Sequence, residues 1–264
     1  MNMKKVIISL LLGVFTFVLF GCTSPPKGVL PTPGEQFQRA KKEYEKKRWL
    51  VAIDEFQKVI YNFPGATVVD TAQYYLALAY YGNKEYELAA VEFSRLMLNY
   101  PRSDFSDDAQ FMSGVCYYKN SPGHFSLDQE DLTKAIAALE DFLIDHPDSP
   151  LAADARANIS QARHKLAEKS FQNGLTYFKI YDYPASRVYF QLVIDDYTDT
   201  ELAPKALYRL SESYFKENKF DQAKEKFDSF LSLYPDHELA VKADEYLVKI
   251  AEKNSDEHAA GESD

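Results

Sequence analysis

The chain has 264 residues, 46% hydrophobic and 14% aromatic, with 40 acidic against 30 basic side chains and a formal charge of −10. That acidity argues against nucleic acid and against anionic membrane surfaces, and points to proteins as partners. The five histidines are too scattered for a metal site, and no glycine-rich phosphate loop, nucleophile elbow or repeated cysteine pair occurs, so neither a cofactor nor a catalytic residue is expected.

Lys4 and Lys5 precede an apolar run from Val6 to Phe20, followed by Gly21 and Cys22. The run is short for a membrane span and no basic stop-transfer cluster follows, so residues 1–21 read as a secretion signal. The ending Leu19-Phe20-Gly21-Cys22 resembles a bacterial lipobox, although Phe20 is bulky there. The resemblance implies cleavage before Cys22 and its acylation, with Thr23 favouring an outer-membrane destination. Cleavage removes two lysines and no acid, taking the charge from −10 to −12. Residues 22–34, rich in proline, read as a lipidated cysteine on a tether. With Cys22 acylated, Cys116 stands alone, so no internal disulfide is expected and a buried, inert thiol is.

From there the chain repeats. Trp49, Tyr86, Leu132, Tyr183 and Phe220 each open one frame. Three residues on stands a small residue, Ala52, Ala89, Ala135, Ser186 or Ala223; one helical turn later on the same face comes Phe56, Phe93, Leu139, Phe190 or Phe227. The frame closes on Pro64, Pro101, Pro147, Thr198 or Pro235, preceded by a ring such as Tyr100 or His146, so each unit carries one helix stop. Upstream, a second ladder runs Ala40, Ala77, Gly114, Gly174 and Ser211, with Tyr80, Tyr117, Tyr177 and Tyr214 three residues later. Small then aromatic at helical spacing predicts two closely crossing helices per unit, with the ladder tyrosines in the core. Ser103, Ser149 and Thr200 are the expected N-caps of the following helices.

The pattern resembles the tetratricopeptide repeat, although the first two frames, and the last two, lie 37 residues apart rather than the usual 34. The predicted fold is an all-α superhelix of five helical hairpins with a capping helix around Leu247, Val248 and Ile250. The spacing breaks twice. Extra residues around KNSPGHFSLDQED predict a loop inside the third hairpin, and a stretch free of proline and glycine after Pro147 predicts one long helix or two joined ones. That element would divide the solenoid into a three-repeat half, residues 35–148, and a C-terminal half, residues 149–253. The acidic remainder, 254–264, is expected to be disordered.

Lipobox, proline-rich tether, five repeats, the loop SPGHFSLDQEDLTKAI and the lengthened helix together resemble the BamD/YfiO family of outer-membrane assembly lipoproteins. The resemblance implies a scaffold without catalysis, anchored through Cys22 and facing the periplasm. Its implied partners are the barrel-forming core subunit of the BAM machinery, accessory lipoproteins and unfolded outer-membrane β-barrel proteins. The rival is a repeat lipoprotein coordinating envelope constriction or peptidoglycan synthesis. In such a superhelix the first helix of each unit lines the concave side, where a peptide can lie. Outward positions expected there are Gln73, Tyr74, Tyr81, Gln110 and Met112, with core filling the competing role for Tyr74 and Tyr81.

Overall fold

The computed structural model describes residues 31–261, and all regular structure among them is helical. Five hairpins follow in order, each a first helix and a second: α1 (Pro33–Glu45) with α2 (Trp49–Asn62), α3 (Val69–Gly82) with α4 (Tyr86–Asn99), α5 (Ser106–Asn120) with α6 (Glu130–Asp145), α7 (Ala152–Lys179) with α8 (Tyr183–Asp196), and α9 (Leu202–Lys216) with α10 (Phe220–Leu233). A last helix, α11 (Ala240–Gly261), closes the array. Each helix packs on the next, and first helices also touch one another (α1 with α3, α5 with α7, α7 with α9), as stacked hairpins require.

The frame sets the second helices. α2, α4, α8 and α10 begin on Trp49, Tyr86, Tyr183 and Phe220, and every second helix ends two residues before the proline position. Ala52, Ala89, Ala135, Ser186 and Ala223 are fully buried, as are Phe56, Phe93, Leu139, Phe190 and Phe227. The upstream ladder marks the closest crossings. A Cβ added to Gly174 would lie 2.6 Å from the Phe190 ring, and one added to Gly114 would lie 2.5 Å from Leu139 Cγ.

The turn inside four hairpins is one repeated device. In the first, the Arg48 amide donates to the Glu43 carbonyl and the Lys47 amide to the Tyr44 carbonyl, the double bond of a Schellman motif. The second, fourth and fifth repeat it, with the Glu85, Asp182 and Lys219 amides bonding the carbonyls of ladder tyrosines Tyr80, Tyr177 and Tyr214. The motif needs one left-handed residue, and here Lys47, Lys84, Tyr181 and Asn218 hold φ of 57° to 66° without being glycine.

Several expectations need correction. The four ladder tyrosines are only half-buried: Tyr80, Tyr117 and Tyr214 pack against the core clusters from their margin, and the Tyr80 hydroxyl accepts from Gln57 (3.1 Å). Ser103, Ser149 and Thr200 are not N-caps. The helices they precede have Phe105, Leu151 and Glu201 at that position, because a single turn intervenes. The Ser149 hydroxyl accepts from the Leu151 amide inside that turn (3.2 Å), while the Thr200 hydroxyl donates back to the Tyr197 carbonyl (2.8 Å). The stretch after Pro147 is one helix of 28 residues. Its start packs on the third hairpin's cluster through Ala155 and Ile159 and its end on the C-terminal cluster through Ala167 and Phe171. Finally, helix continues past residue 254 to Gly261, with no proline or glycine before its end to stop it.

Candidate interaction surfaces

Within each N-terminal hairpin a polar pair bridges the two helices. Gln36 on α1 donates to a Glu55 carboxylate oxygen (2.6 Å) and to the Glu55 carbonyl (3.5 Å), and Gln73 on α3 repeats both contacts with Glu92 (2.6 and 3.3 Å). Lys58 and Arg95, one turn on, pair with the same two carboxylates at 2.6 Å. In the third hairpin Gln110 donates to Asp145 (2.9 Å) while its amide oxygen meets the His146 ring (3.1 Å). Gln73 is therefore not an outward residue: it is 3% exposed, because the inter-helix bridge draws it inward. Gln110 is half-buried and engaged in the same way.

Tyr74, Tyr81 and Met112 do come together. All three are half-buried and pack on the cluster formed by α3, α4 and α5. Tyr74 stacks on Phe105 with ring centroids 4.6 Å apart, and burial with Asp108 nearby pushes its hydroxyl up to about 12. Tyr81 meets Tyr86 edge-on at 5.3 Å. Tyr81 and Met112 also touch the next cluster, so they sit at the joint between the second and third units. What they offer is a rim of ring edges beside a packed joint. The signal for the glutamines was their recurrence at 36, 73 and 110, matched by Glu55 and Glu92.

The two departures from regular spacing pack on each other. The loop 121–129 is tied internally by the Gln129 amide donating to the His124 carbonyl (3.0 Å), and its Leu127 carbonyl accepts from Lys169 of α7 (2.9 Å). Lys165 of α7 lies 4.4 Å over the Tyr118 ring, and Tyr118 donates to Gln161 (3.0 Å). The extra turns of α7 thus form the shelf on which the loop rests. Cys116, inside α5, is fully buried and its thiol is pushed up to about 12 by that burial.

In the C-terminal half, a groove of about 610 Å³ runs between α8 and α9, with Val188, Leu192 and Tyr214 on its walls. At its side Arg187 lies 4.4 Å over the Tyr214 ring and pairs with Glu217. Burial alone would raise the Glu217 carboxyl, but hydrogen bonds from Arg187 and Lys219 outweigh it and hold the carboxyl below its ordinary value. Tyr246 of α11 stacks on Phe227 (4.9 Å) and donates to buried Glu212 (2.9 Å), closing the last hairpin. Among the described residues no group of three or more His, Cys, Asp or Glu side chains is placed to hold a metal, and no helix is long and apolar enough to cross a membrane.

A family model described as outer membrane lipoprotein, YfiO, matches residues 31–217, most of the chain. The chain belongs to the YfiO family. A tetratricopeptide repeat model also matches residues 205–237, the fifth hairpin. Two relatives are named outer membrane protein assembly factor BamD. That of Caulobacter vibrioides is 34% identical over 97 residues, 37% of this chain and 32% of its own; that of Rickettsia prowazekii is 35% identical over 99 residues, 37% and 39%. The chain thus spans only about a third of the length of the relatives it matches. Among solved structures, the TPR2AB domain of yeast Sti1, solved in a pHSP90 complex, gives a TM-score of 0.41 at 17% identity over 86% of each chain. Pseudomonas aeruginosa pilF gives 0.32 at 14% identity over 87% of each. Cys22, the tether through residue 30, and residues 262–264 lie outside the described residues.

Proposed function

We propose that this chain is a lipid-anchored scaffold of outer-membrane β-barrel assembly, held by acylated Cys22 at the periplasmic face of the outer membrane. It binds the barrel-forming core subunit, with accessory lipoproteins as further partners, and receives unfolded barrel proteins before insertion. Its work is recognition without catalysis or cofactor. Family membership and the names of the two relatives support this reading of the role.

The observation that carries substrate reception is the aromatic rim at the second and third units, where Tyr74, Tyr81 and Met112 are held by packing yet keep an exposed edge. Barrel strands carry aromatic girdles, and a pre-ordered ring edge meets another ring at little entropic cost. A photocrosslinking residue at position 81 should trap unfolded barrel protein, whereas one at Leu98, 80% exposed on α4, should not. Equal trapping at both positions would overturn the assignment of this rim. The anchor has its own test: Cys22→Ser protein should lose fatty-acid labelling and membrane retention, and retention with normal labelling would overturn it.

A further inference from the structure

The net charge is unevenly placed. Because helices alternate in direction, the turns inside hairpins lie along one edge of the solenoid and the turns between hairpins along the other. The between-hairpin edge is acidic, with Asp107, Asp108, Asp145, Asp148, Asp199 and Glu201 among its residues. On the opposite edge the first hairpin has a tip unlike the others. Lys46, Lys47 and Arg48 follow Lys41 and Lys42 on α1, and Leu50 and Val51 come next, 67% and 47% exposed. The matching tip of the second hairpin sets Glu85 and Glu87 beside Lys84, and that of the fifth balances Glu217 and Asp221 against Lys216 and Lys219. In the first, Glu43 answers Lys46 (2.7 Å) and Arg48 (3.0 Å) and Glu45 stands exposed beside them, so residues 41–48 set five basic side chains against two acidic ones and the tip stays cationic.

We propose that this tip is a second, direct contact with the bilayer: Lys46, Lys47 and Arg48 meet anionic phospholipid headgroups while Leu50 and Val51 enter the interface. A basic cluster beside exposed apolar side chains is the combination that binds such surfaces, and its strength follows local rather than net charge. The acidic edge does not oppose it. Helices of 13 and 14 residues separate the two edges by about 20 Å, beyond the ~8 Å screening length at physiological salt.

The reading rests on the anchor proposed above for its geometry. From Cys22 to Pro31 the chain reaches at most about 30 Å, more than the length of α1, so an anchored chain can lay the far tip of α1 on the bilayer. The two contacts would then fix which edge of the solenoid faces the membrane and turn its acidic edge toward the periplasm.

Trp49, the single tryptophan, sits at the tip, packed edge-on to Tyr44 at 5.4 Å, and so reports the contact directly. The experiment uses residues 23–264, which lack the anchor but hold every described helix, with vesicles of phosphatidylcholine alone or mixed with phosphatidylglycerol. Quenching of Trp49 by brominated acyl chains is expected only in the mixed vesicles, reversed by salt. Lys46→Gln/Lys47→Asn/Arg48→Gln should lower the partition coefficient by roughly tenfold to a hundredfold, with circular dichroism unchanged. Unquenched Trp49 in the mixed vesicles, or quenching indifferent to salt, would overturn the proposal. So would a folded triple variant that partitions like the parent. Because no acyl chain is present, failure of the Cys22 assignment leaves this result untouched.

Discussion

Gly174→Ala tests the tightest helix crossing. Alanine in place of glycine inside a helix ordinarily gains about 1 kcal/mol. Here the new methyl would lie 2.6 and 2.7 Å from two carbons of the Phe190 ring, which is fully buried and held by Phe171 at 5.6 Å. The ring cannot swing into open space, so α7 and α8 must separate by several tenths of an ångström along a shared core. Overpacking of this kind costs about 1–3 kcal/mol, more than the propensity gain, so the net effect should be a loss of about 1 kcal/mol and a fall in melting temperature of roughly 2–4 °C. Thermal and urea unfolding followed by circular dichroism measure it. Combining Gly174→Ala with Phe190→Val should cost less than the sum of the single changes, since the second removes the atoms the first strikes. A raised melting temperature for Gly174→Ala, or strict additivity in the double variant, would refute the reasoning.

The remaining predictions concern stability. Asn218→Gly should stabilise by a few tenths to about 1 kcal/mol, because Asn218 holds φ 57°, while Asn218→Val should destabilise; equal unfolding midpoints would contradict this. Gln73→Leu should cost about 1–3 kcal/mol by leaving the Glu92 carboxylate, 7% exposed, without its inter-helix donor, and an unchanged urea midpoint would place the bridge elsewhere. The hydrogen bonds from Arg163 hold Asp199 below the usual carboxylate range. A depressed folded pKa gives stability that is present above the unfolded value near 4 and is lost as pH falls through the folded one. The melting-temperature gap between parent and Asp199→Asn should therefore close as the pH falls below about 4. It should be small throughout, under about 1 kcal/mol, because Asp199 is 49% exposed. A gap that widens on acidification would show the opposite sign.

Where a residue type has one physical reason to be where it is, the sequence was legible. Proline positions stop second helices, and small residues mark crossings because nothing larger fits, so helix boundaries and the buried alanine and phenylalanine columns could be read directly. Glutamine was misread because polarity alone suggests solvent, whereas Gln73 satisfies a buried carboxylate; its pairing with Glu92 shows only when both recurrences are aligned. Tyr74 and Tyr81 were ambiguous because a ring at a helix joint is core on one edge and surface on the other. The turn serines misled because a hydroxyl two residues before a backbone amide serves a turn as readily as a helix cap. The left-handed lysines, tyrosine and asparagine gave no signal, since glycine is the residue that usually announces that conformation.

Recovery of the intact lipoprotein from gently solubilised membranes, with its bound proteins identified by mass spectrometry, tests the proposed role most directly. Co-purification of the barrel-forming outer-membrane subunit in stoichiometric amount is the predicted result. Recovery of cell-wall synthases without that subunit would contradict it.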